Sequence, residues 1–297
     1  MILVAGGSGR LGRLVVGELA QQHDVRVLAR RATTAALPMG VRVSSLDADV
    51  RDASAVATAA RGVACIVIAS HGVESRERDG LASVDIDGAR AVVAAARQVG
   101  CAVVLTSIVG AASDATLPIA RSKWAAERIV SESGVPWTIV RSAAFAQTWA
   151  MILTMSAGRS GRPSMIGRGR AGHRFVDVRD VAAVVARAAT DEGLRGRTLQ
   201  VSGPDVLTPS QLAAMVQQAN AWSGQPRHLP LPVARAIGAG LAPFRPDLAR
   251  RVALGIAMEE PQPPDGPEVE VPEWLSMRRI TPETMRWSPE VEAAPAR

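Results

Sequence analysis

Apolar residues along the first two thirds of the chain follow two alternating periods. Short runs of β-branched and aliphatic residues recur as MILVAG, DVRVLAR, VRVSSL, CIVIAS, CAVVLTS and PWTIVRS. Their apolar positions are near-continuous, the pattern of a strand covered on both faces. Between them lie stretches with helical spacing, such as Leu11, Leu14, Val15 and Leu19, or Val92, Val93, Ala96 and Val99. This alternation predicts an α/β fold, a doubly wound parallel sheet with helices on both faces. Downstream, HRFVDVRDVAAVVARAA predicts a short strand and a helix, and RTLQVSG another strand. In LTPSQLAAMVQQA, Thr208 is placed as N-cap and Pro209 as the first helical residue.

From about Ala221 the texture changes. HLPLPVARAIGAGLAPF and PDLARRVALGIAMEE predict short helices, and the proline-rich PQPPDGPEVEVPEW predicts rigid loops. The expected organisation is a sheet domain over residues 1–150, completed by about 174–203. A smaller lobe is expected from 151–173 and 204–297.

The composition, 47% hydrophobic and 21% charged, is that of an ordinary globular protein, and 297 residues can bury a large core. No apolar run is long enough to cross a membrane, and the short run after Met1 has no basic stretch ahead of it, so a secretory signal is not expected. A cytoplasmic setting follows as the expectation. The net charge of +6 comes from scattered arginines without a basic cluster, which argues against a nucleic-acid partner. Cys65 and Cys101 each open an apolar run and are read as buried, reduced thiols, with no metal site.

Candidate chemistry begins with AGGSGRLG, Ala5 to Gly12, directly between the first strand and the first helix. Gly6 permits a tight turn, Gly9 lets backbone approach a pyrophosphate, and Gly12 allows close packing of helix on strand. The helix N-terminus then offers free N–H donors to phosphates. About 20 residues on, where an NAD-preferring fold carries an acid for the ribose 2′-hydroxyl, stand Arg30 and Arg31. Guanidinium groups suit a 2′-phosphate, so NADP(H) is favoured over NAD(H). Asp49, in the turn after the third strand, has two readings, a contact to the adenine amino group or a helix cap.

GGSGRLG, ADV after the third strand, TSIVGA after the fifth and the RSKWAAE helix together resemble the short-chain dehydrogenase/reductase superfamily. The match is closest to its atypical, NmrA-like branch of NAD(P)H-binding reductases and sensors. HRFVDVRDVAAVV followed by LQVSGPDVLTPSQLA resembles the same branch, so the similarity covers about residues 1 to 215. It extends the cofactor-contacting set to Ser8, Arg10, Leu11, Val50, Ala69, Ser70, Thr106, Lys123, Ala143 and Phe145. In standard members a tyrosine and a lysine four residues apart, with a nearby serine, pass a proton and hold the nicotinamide ribose. The serine matches Ser107, the lysine matches Lys123, and the tyrosine position is Ile119.

Lys123 is the only lysine in the chain, among 34 basic residues. Lysine and arginine are not interchangeable, so the reading is that Lys123 holds cofactor; the alternative is a surface lysine on a solvated helix face. His71, after the fourth strand, is read either as a proton donor or as a plain loop residue. His23, His173 and His228 have weaker claims. Asp177 and Asp180 are expected to contact arginine and cap the following helix rather than act as an acid pair. Phe145, Trp149, Met151 and Met155 are a candidate apolar substrate wall. The resemblance implies an NADP(H)-dependent reductase of a small apolar carbonyl, enone or quinone, acting as a monomer or homodimer. A cofactor sensor without turnover, or a non-redox biosynthetic enzyme, are the alternatives.

Overall fold

Each of the six apolar runs of the first half forms a strand. They are β1 (Ile2–Ala5), β2 (Val25–Ala29), β3 (Val43–Asp47), β4 (Cys65–Ile68), β5 (Ala102–Ile108) and β6 (Trp137–Ser142). The computed structural model describes residues 1–33, 42–78, 80–261, 272, 274 and 276–286. The proline-rich stretch expected as rigid loops lies mostly outside them. Helices follow the strands in turn: α1 (Arg10–Ala20), α2 (Ala53–Ala59), α3 (Gly88–Val99), α4 (Pro118–Ser131), α5 (Ala146–Ala157) and α6 (Val178–Thr190). Two short strands, β7 (Ser164–Ile166) and β9 (Arg227–Leu229), flank β8 (Arg197–Val201) and α7 (Pro209–Ala219) in the chain. The helices α8 (Leu231–Leu241) and α9 (Pro246–Ala257) close the regular structure among the described residues.

The main sheet is parallel with order β3-β2-β1-β4-β5-β6-β8. The chain runs outward from β1 to β3, then restarts at β4 on the other side of β1. Ligand crevices of such sheets open at that reversal, beyond the carboxyl ends of the strands. On one face, Val15 and Leu19 of α1 and Val181 and Val185 of α6 pack over Val4, Val27 and Val104. On the other, Val92 and Ala96 of α3 and Ala126 and Val130 of α4 cover Leu3, Leu28, Ile66 and Leu105. Burying each of these side chains contributes roughly 1.5–3 kcal/mol for a valine or leucine. Val99, the last helical position of its set, stays 37% exposed.

Asp177 caps α6, accepting from the Arg179 N–H, and Thr208 forms a full capping box with Gln211 at α7. The strand expected in HRFVDV does not form. That segment changes partners within three residues, bridging Phe145 through Val176 and Leu207 through His173, so no ladder propagates. A third core gathers Leu153, Phe175, Leu212, Val216 and Met285, with Trp149 edge-on to Phe175 at 6.4 Å. Beside it β7 and β9 pair as a separate two-stranded sheet, which the sequence pattern did not signal. Cys65 and Cys101 are buried free thiols, and burial pushes the Cys65 thiol up to about 12.

Candidate functional site

The glycine turn has the geometry its spacing demands. Gly6 adopts φ +88°, and a Cβ there would lie 2.7 Å from the Ser70 nitrogen at the end of β4. A Cβ on Gly12 would overlap the Gly6 carbonyl oxygen and approach the Gly7 Cα to 2.7 Å. Only hydrogen fits at either position. Gly9, the N-cap of α1, offers no side chain, and the first turn carries no acid. The first N–H groups of α1 therefore keep their donors and their partial positive charge for an anion, and a dinucleotide pyrophosphate fits this cradle. Arg10 reaches across the turn, its Nη2 3.3 Å from the Met151 sulfur of α5. Ser8 is half-buried in the turn. The Leu11 side chain is part of the core under the turn, while its backbone lies in the first turn of α1.

Beyond β2, Arg30 and Arg31 are both exposed. The nearest carboxylates are held elsewhere. Asp47 accepts from Thr33 through its N–H at 2.8 Å and its hydroxyl at 2.6 Å. Asp49 is gripped at both oxygens by Arg51, at 2.9 Å each, and that guanidinium holds its carboxyl below the usual range. The cap of α2 is Asp52, not Asp49. Val50 is buried in the second core, where it meets Gly88, so its side chain is a packing residue.

At the carboxyl ends of β4 and β5 the arrangement centres on Lys123. The side chain is 4% exposed, so the surface-lysine alternative is overturned. Its Nζ donates to the Ser70 carbonyl at 3.1 Å and stands 3.1 Å from Asp85 Oδ1. Asp85 is wholly buried in a π-helical turn, residues 82–87, ahead of α3, and its Oδ2 accepts from the Ser122 hydroxyl at 3.1 Å. The ammonium donates one hydrogen bond, to the Ser70 carbonyl, and its contact with Asp85 Oδ1 is an ion pair without a hydrogen bond, which leaves donors over. The hydroxyls of Ser70 and Ser107 are buried with no partner among the described residues. Both hydroxyls therefore keep donor and acceptor capacity for a group bound beside them.

Neighbouring positions hold the frame. The Thr106 hydroxyl donates to the Ile68 carbonyl at 2.9 Å, and the Ala143 N–H donates to the Val201 carbonyl. Phe145 packs half-buried against the first core. Arg141 binds both oxygens of the buried Glu127, at 2.9 and 2.6 Å, tying β6 to the helix that bears Lys123. Ile119 lies half-buried one turn before Lys123 on α4. His71 keeps much of its surface open, yet crowding by protein atoms and then the Lys123 ammonium lower its pKa below the usual histidine value. That direction favours the neutral imidazole over the charged one.

Elsewhere, His173 meets the Met258 carbonyl and His228 the Gly167 carbonyl. Asp177 binds Arg179, and Asp180 binds Arg278, as expected of structural acids. Of the proposed apolar wall, Met155 is 61% exposed and falls outside it. Asp85, Ser122 and Glu127 were missed from the sequence. The available signal was the pair of acids in LASVDIDGARAVVAAA, an otherwise apolar and small-residue run.

Comparison with known proteins agrees with this geometry. Residues 6–192 match the family described as NAD(P)H-binding. A (4-alkanoyl-5-oxo-2,5-dihydrofuran-3-yl)methyl phosphate reductase of Streptomyces griseus is 34% identical over 221 residues, 73% of each chain. An NAD(P)H azoreductase of Xenophilus azovorans is 27% identical over 220 residues, 74% of this chain and 73% of its own. The structure of an NADPH-dependent quinone oxidoreductase from Escherichia coli superposes with a TM-score of 0.65 at 21% identity, over 89% of this chain and 96% of that one. The chain belongs to the NAD(P)H-binding family.

Proposed function

We propose that this protein is an NADP(H)-dependent oxidoreductase that passes hydride to a small apolar carbonyl, enone or quinone without a tyrosine acid. The observation that carries this reading is the Lys123 ammonium. It is buried, paired with the Asp85 carboxylate and bonded to the Ser70 carbonyl, with donors left for a ribose hydroxyl. The uncapped N-terminus of α1 would hold the pyrophosphate, and Arg30 and Arg31 a 2′-phosphate. When bound, NADPH supplies the hydride and leaves as NADP+.

The chain's own part is placement and electrostatics. Lys123 sets the sugar, and the unpartnered hydroxyls of Ser70 and Ser107 are donors for the carboxamide or for a substrate oxygen. Ile119 stands where the resemblance puts the tyrosine, so the proton that completes the reduction comes from water. That suits an acceptor whose developing charge is delocalised. The Streptomyces griseus relative is named for a substrate with an oxo-dihydrofuran ring, and the azoreductase for a conjugated one, which supports the same class here. On this reading residues 1–150 and 174–203 bind cofactor, 151–173 and 204–297 shape the substrate side, and the setting is cytoplasmic.

The test is NADPH oxidation, followed at the nicotinamide absorbance band with a panel of quinones and enones. Turnover that disappears in Lys123→Ala together with weakened NADPH binding is expected. Tight NADPH binding with no oxidation across the panel would overturn the reductase and favour a cofactor sensor.

A further inference from the structure

A cavity of about 570 Å³ opens between the start of α4 and the α8–α9 pair. Val73, Leu81 and Ile119 line one side, and Ala249, Ala253 and Leu254 of α9 line the other. The volume falls within the roughly 300–1,000 Å³ of small-molecule sites. Because Ile119 is one helical turn ahead of Lys123, the cavity adjoins the end of the cleft where hydride transfer is proposed. Among the described residues two charged side chains enter this otherwise apolar lining, Arg78 and Arg250, and no carboxylate does.

The two arginines do different things. Arg250 donates to the carbonyls of Gly72 at 3.3 Å, Ser75 at 2.8 Å, Glu77 at 2.7 Å and Arg78 at 2.8 Å. It clasps the loop after β4 onto α9, and these carbonyls satisfy its N–H groups without cancelling its charge. The acids described in that loop are engaged by other guanidinium groups: Glu74 by Arg251 at 3.2 Å and Glu77 by Arg51. Arg78 is exposed at the cavity, and among the described residues its guanidinium has no hydrogen-bond or ion-pair partner.

An apolar chamber with uncompensated positive charge selects its occupant twice. Apolar walls reward a hydrocarbon or ring surface, and the guanidinium at the rim offers a negative group a bidentate, charge-assisted bond. A neutral ligand leaves the charge unused, and a cation is repelled. We infer that this cavity receives an amphipathic anion, with its apolar body against Ile119 and α9 and a phosphate or carboxylate head on Arg78. The inference rests on the reductase reading in taking that anion to be the substrate. A guanidinium meets either head through two parallel bonds, so both belong to the same chemistry.

Calorimetry on the full-length protein loaded with NADP+ tests it, using octyl phosphate, octanoate and octanol as probes. At least one anion is expected to bind about tenfold or more tightly than octanol, and the tighter anion identifies the head. Arg78→Met should abolish that preference while leaving octanol binding, NADP+ binding and the melting temperature unchanged. Ala253→Phe, which fills the cavity, should weaken all three probes. Equal binding of anions and octanol, no binding of any probe, a preference that survives Arg78→Met, or anion binding that survives Ala253→Phe would each overturn the inference. Oxidation of NADPH across the panel of quinones and enones, anionic members included, is measured in parallel. Anion binding without oxidation leaves the cavity assignment standing and removes the reductase; oxidation without anion preference does the reverse.

Discussion

Replacing Asp85 by asparagine keeps the side chain's size but strips the buried Lys123 ammonium of its counter-charge. Both side chains are nearly inaccessible, at 0% and 4% exposure, so water cannot take over the role. Breaking one partner of such a pair costs about 3–5 kcal/mol. An asparagine carbonyl oxygen can still accept the Ser122 hydroxyl, which places the expected loss near the lower end, about 3 kcal/mol. For a chain of this size about 2 °C is lost per kcal/mol, so the melting temperature should fall by roughly 6 °C. Circular-dichroism melting at neutral pH measures it, together with Lys123→Met and the double variant. Removing both charges should cost at least about 1 kcal/mol less than the sum of the single losses, because the second change relieves the uncompensated charge left by the first. A melting temperature for Asp85→Asn within about 1 °C of the parent, or strictly additive losses, would refute an energetically coupled pair.

Three further outcomes follow from the same structure. Arg30→Ala should weaken NADPH binding about 10- to 100-fold, the worth of a charge-assisted bond, and leave NADH binding nearly unchanged; equal losses would remove the case for phosphate recognition. Guanidinium partners hold Asp49, Asp177 and Asp247 below the usual carboxylate range, Asp247 at about 2, and at Asp177 Arg179 does so against the upward pull of burial. Depressed folded-state values give stability that is complete above about pH 4 and lost as the pH falls toward 2, so the urea midpoint should drop between pH 5 and pH 3; an unchanged midpoint would contradict the assignment. The Cys65 thiol should resist alkylation in the native protein at pH 8, where an exposed thiol near its usual pKa reacts, and mass spectrometry after iodoacetamide treatment checks this.

What could be read along the chain was what depends on near neighbours. Near-continuous apolar runs announced the inner strands β1, β2, β4, β5 and β6, because a strand covered on both faces has no polar period to display. The glycine turn was legible because Gly6 and Gly12 meet backbone a few residues away or at the adjoining strand end. Thr208 and Pro209 announced the start of α7, whose cap bond to Gln211 spans three residues. By contrast, β7 and β9 are three residues each and pair across a long stretch of chain, leaving too little periodicity to detect.

The site divides along the same line. Ile119, Lys123 and the paired Arg30 and Arg31 were visible as residue types at telling positions. Tertiary structure decided what those residues touch: that Lys123 is buried rather than solvated, that Asp85 stands against it, and that Asp49 spends both oxygens on Arg51. It also decided that Arg78 faces an apolar chamber while Arg250 is consumed by carbonyls. The physical reason is range. Helix periodicity, caps and tight turns are satisfied within a few residues, whereas desolvation and charge pairing depend on which distant segments the folded sheet brings together.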